Sequence, residues 1–220
     1  MLRFEEALGR PVLVVGPFPQ PIGHIDMMLT PLGGRRVALA DAAAGAAIAE
    51  RALKEDPRSV ESFERWCEEY FFGDPSIREV AGVSGPVSAP AVRGRTREMI
   101  ERSRTIAPLL DSVAASLEQR GYHVERIPFL FGGPDTHAEE PDRERATRAT
   151  YPMLTYNNVL IEDDVDGKRV YLPRYGWLAM DEAARRTWQK IGFTARPVDG
   201  LTISAMYGGA LRCAVKVLVR

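Results

Sequence analysis

The chain has 220 residues, of which 45% are hydrophobic and 27% charged, and its formal net charge is −1. Acidic and basic residues are mixed throughout, so the chain has neither a basic stripe for a nucleic acid nor an acidic tail. No apolar run approaches the roughly 20 residues that cross a bilayer, and the N-terminus lacks the pattern of a signal peptide. We therefore expect a cytoplasmic globular protein that binds a small or locally recognised ligand, with no nucleic acid and no membrane as partner.

The two cysteines, Cys67 and Cys213, are too few for a disulfide framework, and neither lies near another cysteine at metal-ligand spacing. We expect two free thiols and no metal. The chain contains no G-x-G-x-x-G or P-loop pattern, so nucleotide binding has no support.

The first strands and helix that the sequence predicts follow a proline-rich segment. The run HIDMMLTPL predicts a strand that begins at His24, and the turn GG and the run RRVALAD complete a hairpin. The next segment, DAAAGAAIAERALKE, predicts a helix with Asp41 as its N-cap.

The middle of the chain predicts helices. One amphipathic helix carries Cys67 on its apolar stripe, and a longer one contains Pro108 and ends at Gly121. We interpret residues 57–121 as a helical insertion in a single domain that spans residues 1–220. A strand, HVERIPFLF, and a long polar loop follow it.

The last seventy residues have the most regular pattern. They predict the strands MLTYNNVLIED and RVYLPRYG, the helix MDEAARRTWQKIGF, the strand TARPVDGL and a final strand GALRCAVKVLVR. This order is a ββαβ unit, and the hairpin and helix after His24 begin a similar one. Two related units indicate an α/β repeat architecture.

His24 and Asp26 are the first candidate site residues. On a strand, residues two apart project from the same face, so the two side chains would point together while Ile25 points into the packing. A same-face imidazole and carboxylate can serve catalysis, although such a pair more often makes a structural hydrogen bond.

Cys213 is the candidate nucleophile. Gly208 and Gly209 leave room for a close approach, and Arg212 places positive charge beside the thiol, which favours the thiolate. The alternative is that Cys213 fills space in an apolar strand.

Four further polar positions receive structural interpretations. Asn157 and Asn158 could line a site, but the apolar residues after them favour an ordinary strand. His123 lies at a strand start and His137 in a charged loop, and both are expected at the surface.

Three segments resemble one known family. GHID, Gly23–Asp26, is similar to a G-H-[IVL]-D element, and GALRC, Gly209–Cys213, is similar to a G-x-x-H-C element. The segment from Tyr156 to Gly200 resembles the unit that precedes the nucleophile. The chain thus resembles the guanidino-group modifying enzymes of the pentein fold, which include agmatine deiminase, arginine deiminase and the peptidylarginine deiminases.

The resemblance implies a pentein-type α/β propeller of ββαβ units, incomplete here because two units are legible rather than five. It implies a cofactor-free deiminase, a hydrolase that acts on the guanidinium group of a small molecule or an arginine side chain. Cys213 would be the nucleophile, His24 would transfer protons, and Asp26 would bind the guanidinium.

The chain departs from the family pattern at Arg212, where a histidine is frequent, at Val215, where a threonine is frequent, and in lacking the upstream second acid. It is therefore expected to be a C-terminal fragment, a truncated reading frame or one subunit of a split enzyme, completed by a homo-oligomer or a missing N-terminal segment. Two other functions stay open: an amidinotransferase of the same fold, and a non-catalytic pentein piece that binds a partner.

Overall fold

The computed structural model describes residues 5–7, 9, 12–15, 24–72, 95–132, 153–201, 204–205 and 209–215. Within these ranges the chain is mixed α/β, with two three-stranded sheets and four helices of more than ten residues. No helix in the same ranges is both long enough and apolar enough to cross a membrane.

Within the described residues, the first unit contains one sheet and three helices. Its elements are, in chain order, β1 (Leu29–Gly33), β2 (Arg36–Asp41), α1 (Ala42–Glu55), α2 (Pro57–Phe72), α3 (Arg95–Gln119) and β3 (His123–Pro128). β1 and β2 form the predicted antiparallel hairpin, and β3 pairs with β2 in parallel. α2 and α3 lie within the predicted insertion, residues 57–121, in the connection from β2 to β3.

The second unit repeats this order with one helix. It consists of β4 (Leu160–Asp164), β5 (Gly167–Pro173), α4 (Leu178–Lys190) and β6 (Thr194–Val198). β4 and β5 are antiparallel, and β6 is parallel to β5. The predicted ββαβ order of this unit is confirmed, and the first unit has the same strand order and pairing.

Two helix ends follow the sequence signals. Asp41 caps α1, because its Oδ1 accepts a hydrogen bond from the backbone N–H of Ala44 at 2.8 Å. Gly121 follows α3 with φ of 78°, a conformation that glycine adopts without steric cost.

The largest apolar cluster joins the two units. It includes Ala38 and Ile127 from the first sheet, Val170 from the second sheet and Trp188 from α4. Cys67 is fully buried in the same cluster, as its position on the apolar stripe of α2 predicts. The two sheets therefore share one core.

Three strand predictions are wrong at the segments that build the site. His24 does not begin a strand: Ile25–Met27 is a 3₁₀ turn, and β1 starts after it. Residues 153–159 precede β4 without joining its ladder, and Arg212–Ala214 is a second 3₁₀ turn inside the predicted final strand. In each case side-chain hydrogen bonds or buried anchors hold the backbone in a turn.

Gly45 permits the closest contact between α1 and the first sheet. A Cβ atom built at this position would lie 1.9 Å from the backbone oxygen of Phe129. Real side chains do not approach a carbonyl this closely, so the helix lies against the chain just after β3 only because residue 45 is glycine.

We predict that Gly45→Ala destabilises the protein by at least about 1–3 kcal/mol, because overpacking forces the backbones apart. The same exchange at an open helix position would stabilise by about 1 kcal/mol, because alanine has the higher helix propensity. Urea denaturation measures the change, and the exposed Ala47→Gly serves as the propensity control in the same helix. A Gly45→Ala variant that gains stability would contradict the contact.

Candidate functional site

Three side chains from the two ends of the chain meet at one place. The ligand atoms of His24, Asp26 and Cys213 all lie within 4.8 Å of one another. The Cys213 thiol donates to Asp26 Oδ2 at 3.7 Å, across 187 residues of sequence. His24 and Cys213 are exposed and Asp26 is half-buried, so the cluster is open to solvent. All three candidate site residues of the sequence analysis are thus brought together.

The 3₁₀ turn positions His24 and Asp26. The N–H of Met27 donates to the His24 carbonyl at 3.1 Å, and the N–H of Met28 donates to the Ile25 carbonyl at 3.0 Å. Met27 and Met28 are buried against aromatic and apolar side chains, whereas Ile25 is 49% exposed. The predicted inward position of Ile25 is therefore wrong, and the methionines are the anchors of this segment.

Asn158 positions Cys213. Its Oδ1 accepts hydrogen bonds from three backbone N–H groups, those of Ala210 at 3.2 Å, Arg212 at 2.9 Å and Cys213 at 3.2 Å. Its Nδ2 donates to Cys213 Sγ at 3.2 Å. One fully buried carboxamide thus fixes both the backbone turn and the sulfur atom.

Gly209 provides the space that the sequence suggested. A Cβ atom there would lie 3.0 Å from Cys213 Cβ and 3.5 Å from Sγ. Any side chain would crowd the cysteine, so the close approach inferred for this glycine is confirmed. Gly208 lies outside the described residues.

Asn158 lies at the candidate site, where its amide contacts Cys213 Sγ, although its sequence context predicts an ordinary strand. The only local signal is a pair of adjacent asparagines in an apolar run, and Asn157 has a different role. Asn157 Nδ2 donates to the Met28 carbonyl at 3.1 Å, which ties it to the first unit.

The segment Thr155–Asn158 connects the two units through buried polar contacts. Thr155 Oγ1 donates to the Met27 carbonyl, and Thr30 Oγ1 donates to the Asn157 carbonyl. From the second unit, Trp188 Nε1 donates to the Tyr156 carbonyl at 2.9 Å. Because this backbone serves side chains from both units, it does not extend β4.

Asp181 supports the same segment from the start of α4. Its Oδ1 accepts from the Tyr156 hydroxyl at 2.9 Å and from the Tyr175 N–H at 3.0 Å, and its Oδ2 accepts from the Gly176 N–H at 3.0 Å. Burial raises the pKa of Asp181 to about 6, against the lowering effect of these hydrogen bonds. Burial, with the nearby Asp181 charge, also raises the pKa of Tyr156, so this hydroxyl stays a donor.

The remaining candidates lie apart from the cluster or do not contact its sulfur. Arg212 is exposed, and among the described residues the side chains that hydrogen-bond Sγ are those of Asn158 and Asp26. His123 is exposed as predicted, with Nε2 3.1 Å from Glu125 Oε1, and His137 lies outside the described residues.

Comparisons with known proteins give structural neighbours only. No family model and no curated protein matches the chain. The fold is similar to that of an agmatine deiminase from C. jejuni, with 14% identity and a TM-score of 0.46 over 97% of this chain and 44% of that chain. A cysteine-to-serine variant of the C. jejuni enzyme with substrate bound gives 14% identity and a TM-score of 0.45 over 96% and 43%. The chain spans less than half the length of either neighbour.

We predict that Asn158→Asp lowers the alkylation rate of Cys213 by iodoacetamide roughly tenfold to a hundredfold. The variant keeps acceptors for the three backbone N–H groups but replaces the donor to sulfur with a second oxygen, and a hydrogen bond to a charged group contributes about 1.5–3 kcal/mol. Mass spectrometry assigns the label to Cys213 rather than to the buried Cys67.

Asn158→Ala is the companion variant, because it removes the acceptor as well as the donor. It should also lower the free energy of unfolding by about 1–3 kcal/mol, since the N–H groups lose their shared partner. Equal alkylation rates for wild type and a folded Asn158→Asp would show that the amide does not assist the thiolate.

We predict that Asp181 makes stability fall as pH rises. Its pKa is about 6 in the folded protein and near 3.8 when unfolded, so between these values the folded state binds more protons. Relative to Asp181→Asn, the wild-type free energy of unfolding should fall by roughly 3 kcal/mol from pH 3.5 to pH 7.5. Urea denaturation of both proteins across this range measures the difference, and parallel pH profiles would contradict the assignment.

Proposed function

We propose that the protein is a hydrolase of the deiminase type, which converts a guanidine to a ureido product and ammonia. The observation that carries the proposal is the convergence of a thiol, an imidazole and a carboxylate within 4.8 Å, in an open cluster. We further propose that the two ββαβ units belong to a pentein-type propeller, and that the enzyme acts in the cytoplasm.

Asp26 is the proposed guanidinium-binding residue. A guanidinium is planar and cationic, so a carboxylate can accept two parallel charge-assisted hydrogen bonds from it. Asp26 Oδ2 lies 3.7 Å from Cys213 Sγ, so a cation bound to this carboxylate has its central carbon close to the sulfur. Asp26 orients the substrate and transfers no proton.

Cys213 is the proposed nucleophile. In the free protein its thiol donates to the Asp26 carboxylate, so the two groups face each other. A guanidinium bound between the two groups would place positive charge beside the sulfur, to which the Asn158 amide already donates. Binding of the cationic substrate therefore favours the thiolate that attacks it.

His24 is the proposed proton-transfer group. Attack forms an S–C bond and a tetrahedral adduct, and His24 then protonates the departing nitrogen as the C–N bond breaks and ammonia leaves. Water adds to the resulting thiouronium carbon while His24 accepts one of its protons. Breakage of the C–S bond then returns the thiolate and gives the ureido product, as the hydroxyl proton of the adduct passes to the released ammonia or to solvent. An imidazole suits both steps because it donates and accepts protons near neutral pH.

The substrate class is a small-molecule guanidine, such as arginine or agmatine, or the side chain of a peptidyl arginine. Each presents the same cationic group to Asp26. The described site residues therefore recognise the guanidinium that these substrates share, and not the rest of the molecule. The proposed roles use Cys213, His24, Asp26 and water.

We predict that the protein releases ammonia and ureido product from a guanidine in a panel of free, methylated and peptidyl arginines and agmatine. Cys213→Ala should abolish both products. Asp26→Asn should raise KM roughly tenfold to a hundredfold, because the charged acceptor for the guanidinium is lost. Ureido product distinguishes hydrolysis from transfer of the amidino group to an amine.

The matched control is His123→Gln, since His123 also lies two residues before an acid, Glu125, but has no thiol beside it. This variant should keep wild-type activity while His24→Gln loses it. An electrophilic amidine should label Cys213, seen as a mass increase on its peptide. Absence of both turnover and labelling in the folded protein, or turnover that survives in Cys213→Ala, would refute the proposal.

A further inference from the structure

We propose that His24, Asp26 and Cys213 also form a Zn²⁺ site, whose occupancy blocks the thiol reversibly. The metal binding stands on the geometry of the three side chains, and the inhibition rests on the proposed function. The expectation of no metal, which came from cysteine spacing along the chain, is revised here because the ligands come from distant segments.

The donor set suits zinc. Zn²⁺ takes thiolate, imidazole and carboxylate ligands together, whereas Mg²⁺ and Ca²⁺ prefer oxygen ligands alone. The cluster offers one donor of each kind, all within 4.8 Å of one another. A thiolate and a carboxylate also balance the two positive charges of the ion.

The spacing fits tetrahedral coordination. With bonds of about 2.3 Å to sulfur and about 2.1 Å to oxygen, the two ligand atoms of a tetrahedral zinc lie about 3.6 Å apart. Cys213 Sγ and Asp26 Oδ2 are already 3.7 Å apart. His24 is exposed, so its imidazole can rotate to bring a ring nitrogen to the metal without disturbing the core.

The surroundings of the sulfur support the same conclusion. The Asn158 amide donates to Sγ at 3.2 Å from a fully buried position, which fixes the sulfur as outer partners fix metal ligands. The proton that the thiol now directs at Asp26 would be released to solvent when zinc takes its place between the two atoms. Three protein ligands leave the fourth position to water.

Zinc binding and catalysis exclude each other at Cys213. The sulfur lone pair that would attack a guanidinium carbon is the one that bonds the metal, and Asp26 can serve either the metal or the substrate cation. Zn²⁺ should therefore inhibit in competition with the guanidine, and a chelator should restore activity in full.

The test is a titration of the full chain, freed of metal, with Zn²⁺ alone against a chromophoric competing chelator. One ion should bind per chain, and Co²⁺ at the same site should give a thiolate-to-cobalt charge-transfer band. Cys213→Ser should weaken Zn²⁺ binding by more than about 100-fold and remove the band, since loss of an outer partner alone costs about 10–100-fold. His24→Ala and Asp26→Asn should each weaken binding at least about tenfold.

His123→Gln is the matched control, because it removes an exposed histidine with a neighbouring acid and no thiol. Its Zn²⁺ affinity should stay within about twofold of wild type, the error of such a titration. Failure of the folded wild type to bind Zn²⁺, or equal affinity in Cys213→Ser, would overturn the site. Circular dichroism of each variant confirms that the fold is intact.

The outcomes separate this inference from the proposed function because the titration needs no substrate. Zinc binding with neither guanidine turnover nor amidine labelling would support the metal site and refute the deiminase. Turnover without zinc binding would do the reverse. Zinc binding with turnover that zinc leaves unchanged would overturn the inhibition.

Discussion

The geometry of the site depends on the hydrogen bonds of one buried carboxamide. Asn158 Oδ1 gathers three backbone N–H groups around Cys213, and Nδ2 donates to its sulfur. Without this acceptor, residues 210–213 would lose the hydrogen bonds that hold their turn, and the β-rich pattern of the sequence there would favour a strand. Cys213, the proposed nucleophile, is therefore positioned by a side chain from another segment rather than by its own local structure.

Asn158 in turn depends on the segment that carries it. The backbone of Thr155–Asn158 accepts hydrogen bonds from side chains of both ββαβ units and does not pair in the ladder of β4. Asp181 holds Tyr156 at this segment, at the cost of burying a carboxyl group whose pKa is raised to about 6. A hydrophobic replacement would avoid that cost, but it would leave Tyr156 and two backbone N–H groups without their acceptor. This network therefore fixes the position of Tyr156 and its segment at a cost to the stability of the folded protein.

The same convergence of donors explains both proposals. A carboxylate close enough to hold a cation against a sulfur is also close enough to share a metal ion with it. The proposed deiminase chemistry and the proposed zinc inhibition therefore draw on one set of distances, and a variant that relaxes the Asn158 contact should weaken both. The shared core of the two sheets keeps these distances fixed, because it joins the units that carry the opposite sides of the site.

Local signals in the sequence determined the hairpin, the Asp41 cap of α1 and the order of β5, α4 and β6, because turn residues, caps and apolar periods act over a few positions. Short motifs and the family resemblance they carry made His24, Asp26 and Cys213 candidates, although with strand geometry that the structure replaces by two 3₁₀ turns. Only the tertiary structure decided how these residues meet and what Asn158 does. Its three backbone partners lie more than fifty residues away along the chain, and no local pattern encodes a contact at that separation.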